Sequence, residues 1–351
     1  MDNPPQSINK AEGRLSRPSV VARARQDNFA RRSFFTFTLL PVLLILIVTI
    51  ALLFRSWPIL QAYPLSDLLF GDVWRPSDGQ FGFWPFILGT FWVTAVGVVL
   101  AVPACLLTSI YLAEYAHARL RSVAKPVLDL LAAIPPVVYG VWGLVAIVPF
   151  VDKVLAPLSD RWLGSVPIFS VNQPIGVGIL ASIVIAVMIA PLIISVMYEI
   201  FSTVPNDLRH ASLAVGATQW QTIRNIVLPQ VGPGILAAIV LGASRALGET
   251  IAVLMVVGNI PQVPTSIFDS AYPLPALIAN NYGEMMSIPL YDAALLSAAL
   301  VLLVVILIFN ILSILVIQRM RGPKWALIKR NGKDAIWWKL SRRSSCRFPL
   351  F

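Results

Sequence analysis

The chain has 351 residues, 57% of them hydrophobic and only 13% charged. An ordinary soluble domain carries about 25% charged residues, so a two-domain soluble enzyme is excluded, and disorder needs far lower hydrophobicity. The net charge of +10 suggests nucleic-acid binding only until the positions of the charges are read.

Residues 1–33 are polar and basic and are expected to form a disordered arm. Six apolar runs follow: Phe34–Phe54, Phe86–Leu112, Val127–Phe150, Ile175–Phe201, Gly234–Val257 and Ala293–Ile317. Each is long enough to cross a hydrocarbon core of about 30 Å as a helix. Helices are expected because backbone polar groups in lipid must be satisfied within the segment. The first run starts late and lacks a small-residue cleavage site, so it reads as a retained span rather than a signal peptide. Pro41, Pro103, Pro135, Pro136 and Pro191 are expected to bend or interrupt their helices. Trp57, Trp84, Tyr111, Tyr115, Tyr198 and Tyr291 fall near span ends, as interfacial anchors do.

An even number of spans puts both termini on one side. Of the 27 Lys and Arg residues, 22 lie in segments on that side, four lie on the other, and Arg245 lies within a span. That bias predicts cytoplasmic termini. The basic tail 321–351 belongs to the same side and can attract anionic lipid heads.

The segment 204–229 between the fourth and fifth spans reads as a surface helix–turn–helix. Asn206 or Asp207 is expected to cap the first helix, Gly216 to interrupt it, and Thr218 to cap the second. Trp220, Ile223 and Val227 stand at helical spacing. Such a segment is either a plain connector or a docking element whose apolar face enters a partner's groove.

The fifth span holds Arg245-Ala246-Leu247-Gly248-Glu249, the formal charges deepest in any run. A charge at mid-bilayer costs about 2.5–3.5 kcal/mol on insertion scales. The i, i+4 spacing is expected to bring Arg245 and Glu249 together on one helix face. Gly234, Ala238, Gly242 and Ala246 form a small-residue ladder that permits close helix packing. The pair is read as a site for an anionic solute, with a packing ion pair as the bland alternative. Thr90, Thr94, Ser244 and Thr250 are candidate hydroxyl donors beside it.

No catalytic chemistry is legible. The Gly332-Lys333 pair is followed by Asp334, so there is no phosphate-binding loop, and no metalloprotease or nucleophile-elbow motif occurs. Two histidines, His117 and His210, and two distant cysteines, Cys105 and Cys346, give no metal spacing. The chain is therefore expected to be no enzyme and to bind no cofactor or metal. Energy for uphill transport has to come from a partner or an ion gradient.

In the 204–229 segment, His210-Ala211-Ser212 is followed by Gly216, Ile226, Leu228 and Pro229. This resembles the cytoplasmic signature of ATP-binding-cassette importer permeases: Glu-Ala-Ala, three residues, Gly, nine residues, Ile-x-Leu-Pro. The departures are His210 for Glu and Ser212 for Ala. From about residue 30 to 320 the chain is similar to phosphate-importer permeases of the PstC type. The markers are Phe81–Thr90, Tyr111-Leu-Ala-Glu-Tyr115, Leu130–Gly140 and Arg245–Val253.

The resemblance implies an all-α membrane protein of type I importer architecture, with 34–320 as the six-span domain. It implies a heterodimer with a PstA-type sister permease in the bacterial inner membrane. It also implies two cytoplasmic ATPase subunits carrying ATP and Mg, and an external phosphate-binding protein. Arg245 and Glu249 then match charged positions tied to phosphate passage, and 204–229 is the ATPase docking loop. Three other readings stay open: a permease for sulfate or molybdate, a proton-coupled secondary transporter using Glu249, and a membrane scaffold.

Overall fold

The computed structural model describes residues 20–163, 166–169, 177–284 and 288–320. Among them six helices are long and apolar enough to span a bilayer: Asn28–Ala62, Trp84–Tyr115, Pro136–Trp162, Ala181–Ser202, Gln219–Leu247 and Tyr291–Met320. The chain forms two units, one ending at Phe54 and one starting at Arg55.

The described part of the first unit is helix α1 (Val20–Ala62) as far as Phe54. The helix begins inside the stretch expected to be a disordered arm; residues 1–19 and the basic tail lie outside the described residues. Between Phe29 and Phe54 its large apolar side chains are mostly exposed, Phe34, Leu43 and Ile47 among them. A helix of that kind is stable when lipid or protein covers it. Two of its threonine hydroxyls bond within the helix: Thr38 Oγ1 donates to Phe34 O and Thr49 Oγ1 to Ile45 O.

The second unit continues through α2 (Leu65–Phe70) and a short hairpin of β1 (Trp74–Arg75) and β2 (Gln80–Phe81), with Trp74 opposite Phe81. Gly79 takes the left-handed backbone that the hairpin turn needs, and Tyr63 OH donates to its carbonyl at 2.6 Å. Trp74 packs edge-on against Phe86 at 5.2 Å, and Phe86 meets Tyr272 at 5.3 Å. With Phe83, Leu274 and Tyr291 these rings fill a compact core at one end of the bundle.

The larger core lies between α3 (Trp84–Ile110) and the later helix α8 (Val177–Ser202). A Cβ on Gly97 would stand 3.0 Å from Ile185 Cγ2, so the missing side chain lets the two backbones approach. Ser182 Oγ donates to Val93 O across the contact at 3.2 Å. A π-turn, Tyr111–Tyr115, continues α3 to Glu114.

The third span differs from expectation. Val127–Ala132 belong to an amphipathic helix, α4 (Ala118–Ala132), and the chain breaks before α5 (Pro136–Trp142). Pro135 forces Ile134 out of helical geometry, and Pro136 suits a first helical turn, so one apolar run becomes two helices. Beyond α5, π-turns link α6 (Val148–Phe150) and α7 (Ala156–Leu163), carrying the span to Trp162.

The helix–turn–helix is present as α9 (Asn206–Ala214) and α10 (Gln219–Thr222). A π-turn then leads directly into α11 (Leu228–Leu247), so this span starts at Gln219. It ends at Leu247, before the expected Val257; α12 (Ile251–Val256) is separate. A loop returns through an isolated bridge between Gly258 and Ala271 to α13 (Leu274–Asn281), and α14 (Tyr291–Met320) closes the bundle.

Candidate functional site

Gly248 ends α11 and changes the expected geometry of the charged pair. Arg245 sits in the last helical turn, while Glu249 falls in the link to α12. Among the described residues no ion pair joins them. Glu249 Oε1 instead accepts from Ala252 N at 3.2 Å, satisfying an orphan donor in the first turn of α12. Thr250 Oγ1 turns back to Gly248 O at 3.3 Å. The expectation of two charges neutralising each other on one helix face is corrected: the helix has ended between them.

Arg245 reaches another part of the fold. Its Nη2 stands 3.5 Å from Ala132 O, at the carbonyl end of α4. Tyr139 OH donates to the neighbouring Leu131 O at 2.9 Å. A guanidinium is favoured there because a helix C-terminus carries partial negative charge. Arg245 is half-buried and, among the described residues, has one long hydrogen bond for its five donors.

Thr90, Thr94 and Glu249 line a common small crevice, with Val253, Pro273 and Pro275 around them. Arg245 and Thr250 are not part of its wall. Thr90 is already engaged on both sides, donating to Phe86 O at 2.7 Å and accepting from Leu274 N at 2.9 Å. It caps α13 from the neighbouring helix, so its hydroxyl supports the wall rather than greeting a solute. Ser244 donates to Asn310 Oδ1 at 2.9 Å and ties α11 to α14. Among the described residues no cluster of three His, Cys, Asp or Glu side chains could hold a metal.

The small-residue ladder does what its spacing predicts. Cβ atoms at Gly234 and Gly242 would lie 2.7 Å from Ile200 Cγ2 and 2.5 Å from Ile193 Cδ1. Thus α11 lies against α8 at near-backbone distance.

In the helix–turn–helix, Thr218 forms a full capping box with Gln221, and Gly216 adopts positive φ at the interruption. The first cap is otherwise than expected: Pro205 precedes α9, and Asn206 Oδ1 accepts from Arg209 Nη1 instead of capping. Ser212 is buried, and its hydroxyl meets Thr222 Oγ1 at 2.9 Å, joining the two helices. Ile226 and Leu228 are half-buried, whereas His210, Ala211, Gly216 and Pro229 are exposed. Val215 and Trp220 add exposed apolar surface on the same hairpin.

One pair escaped sequence reasoning. Arg209 Nη2 donates to Glu114 Oε1 at 2.7 Å, and Nε donates to Oε2 at 3.1 Å. Both side chains are largely buried. The only available signal was an acid at the end of one span and a base just beyond another. The exposed Lys125–Glu199 pair, at 3.1 Å, is a different case: the carboxylate raises the Lys125 pKa by hydrogen bonding and charge, in full contact with solvent.

The family described as "Binding-protein-dependent transport system inner membrane component" matches residues 105–322. The chain belongs to that family. The matched region contains the hairpin, α11 and both charged residues. A Haemophilus influenzae protein named "Phosphate transport system permease protein PstC" is 35% identical over 292 residues, covering 82% of this chain and 92% of its own. A Xylella fastidiosa protein of the same name is 34% identical over 306 residues, covering 84% and 94%. A bacterial ABC transporter involved in importing the acidic polysaccharide alginate superposes with TM-score 0.51 at 16% identity, covering 85% of this chain and all of that one. That likeness concerns the fold, a type I importer permease with six membrane helices. Membership makes the chain a multi-pass subunit of a transporter that works with an ATPase and a substrate-binding protein.

Proposed function

We propose that this chain is one permease subunit of an ATP-driven phosphate importer. Its relatives carry that name, and Arg245 supplies a reason of its own. Among the described residues Arg245 has no carboxylate partner and only one long bond to a helix-end carbonyl, which leaves guanidinium donors free for a visiting anion. Arg also matches the oxyanion geometry of phosphate with paired donors. The sister subunit is of PstA type, and two ATPase copies hold ATP and Mg. This chain itself catalyses nothing and binds no cofactor. The 204–229 hairpin meets the ATPase in the cytoplasm, where both termini lie; an external protein delivers phosphate. Glu249, Thr94 and Thr250 border the route, and Thr90 shapes it.

The test is uptake of labelled phosphate into proteoliposomes holding the whole complex. Uptake is expected to require ATP, to fall to background in Arg245→Gln, and to resist excess sulfate and molybdate. Uptake driven by a proton gradient without the ATPase would overturn the reading. Equal inhibition by sulfate or molybdate would assign a broader oxyanion permease.

A further inference from the structure

We propose that Glu114 and Arg209 form the joint through which movement of the 204–229 hairpin reaches the crevice lined by Thr90, Thr94 and Glu249; this rests on the transport reading above. Arg209 is saturated. Beyond its two-pronged contact with Glu114, Nη1 donates to Val204 O at 2.6 Å and to Asn206 Oδ1 at 3.1 Å, and Nη2 donates to Phe201 O at 2.9 Å. One side chain therefore fixes the start of α9 to the end of α8 and to the end of α3. Glu114 holds the other arm of the hairpin as well, since Gln219 Nε2 donates to its backbone carbonyl at 2.7 Å. The Ser212–Thr222 contact closes the hairpin on itself. Both arms are thus tied to one residue of the bundle.

That residue ends a long lever. At 1.5 Å per residue, α3 and its π-turn run roughly 36 Å from Glu114 back to Thr90. Thr90 and Thr94 line the crevice with Glu249, and Thr90 holds α13 over it. Along the way α3 is locked to α8 by Gly97 against Ile185 and by Ser182 on Val93 O. A push on the hairpin has a continuous, close-packed path to the crevice. Glu114 and Arg209 are positioning residues in this scheme and touch no solute.

Two measurements decide it. In the reconstituted complex, Glu114→Gln keeps the shape but removes the negative charge, and Arg209→Lys keeps the positive charge but loses the two-pronged fork. Uptake per ATP hydrolysed is expected to fall about tenfold, with the amount of bound ATPase unchanged. A purely structural role would lower hydrolysis and uptake together; an unchanged ratio overturns the joint. The second measurement uses no variant of the pair. Spin labels at Val215→Cys and Tyr115→Cys, both exposed sites, are placed in a Cys105→Ala, Cys346→Ser background. Their separation is expected to stay constant between nucleotide-free and ATP-bound complexes. A shift of about 5 Å, one helical turn, would mean that the hairpin slides past α3 and would overturn the joint. If the wild-type complex takes up no phosphate, the transport reading fails, while the distance measurement still decides the joint.

Discussion

Arg209 and Arg245 sit on either side of the same hairpin and span, with opposite degrees of satisfaction. The first engages every guanidinium nitrogen with a carboxylate, a side-chain amide or a carbonyl. The second holds a single carbonyl at 3.5 Å. A saturated cation is held in place, and an unsaturated one has donors for a visitor. Thr90 belongs with the saturated residues, and its role can be tested. Thr90→Val keeps the shape but leaves the buried Leu274 N–H without an acceptor. An orphaned buried donor costs about 1–3 kcal/mol. Thermal unfolding of the detergent-solubilised protein should show a clearly lower Tm for Thr90→Val and a nearly wild-type Tm for Thr90→Ser. Equal Tm values would show that the Leu274 contact contributes nothing. At this scale the sequence exposes charge but not partners. Arg245 stands out because an apolar run surrounds it. Its neighbour Ala132 lies 113 positions away, and Glu114 lies 95 positions from Arg209, so both pairings depend on the fold.

Elements were legible where a local rule governs them. Thr218 caps α10 because a threonine three residues before a glutamine satisfies two orphan donors at once. Gly216 breaks the hairpin because only glycine enters its positive φ without strain. The ladder on α11 was legible because close approach in lipid needs small residues at fixed spacing. Where two rules compete, the pattern misleads. Hydropathy merges α4 with α5, and the proline pair divides them. Hydropathy likewise carries the fifth span past Gly248, where the backbone ends it. The ladder yields a prediction at this scale. Gly242→Ala places a methyl where Ile193 already lies, and overpacking of a tight core costs about 1–3 kcal/mol. Ile193→Val removes Cδ1, the nearer of the two Ile193 carbons that the methyl would meet, and leaves Cγ1. The double variant should regain part of the stability lost by Gly242→Ala, measured as Tm in detergent. Additive losses would show that α8 moves aside and that the contact is not tight.

For the whole molecule, the distribution of charge and the arrangement of helices both bear on which end the chain is expected to keep in the cytoplasm. With the spans bounded by the apolar runs of the sequence, the count of basic residues puts 22 on the side of the termini and four on the other. Within the second unit, the described residues bring two of those basic segments, 114–125 and 202–230, together. Arg121 of α4 donates to Ala113 O at 2.8 Å, beside Glu114, which Arg209 of the hairpin grips. Lys125 of the same helix pairs with Glu199 near the end of α8. The opposite end holds the aromatic core and the β1–β2 hairpin, which carries Asp78 in its turn. Carrying the basic end across lipid would cost several kcal/mol per charge, so the chain is expected to insert with that end retained in the cytoplasm. Single cysteines at exposed Asp78 and His210, in the Cys105→Ala, Cys346→Ser background, test this with an impermeant maleimide. Asp78→Cys should be labelled in intact spheroplasts, and His210→Cys only after the membrane is opened. The reverse pattern would place the hairpin outside the cell, beyond reach of any ATPase, and would remove the basis for coupling through it.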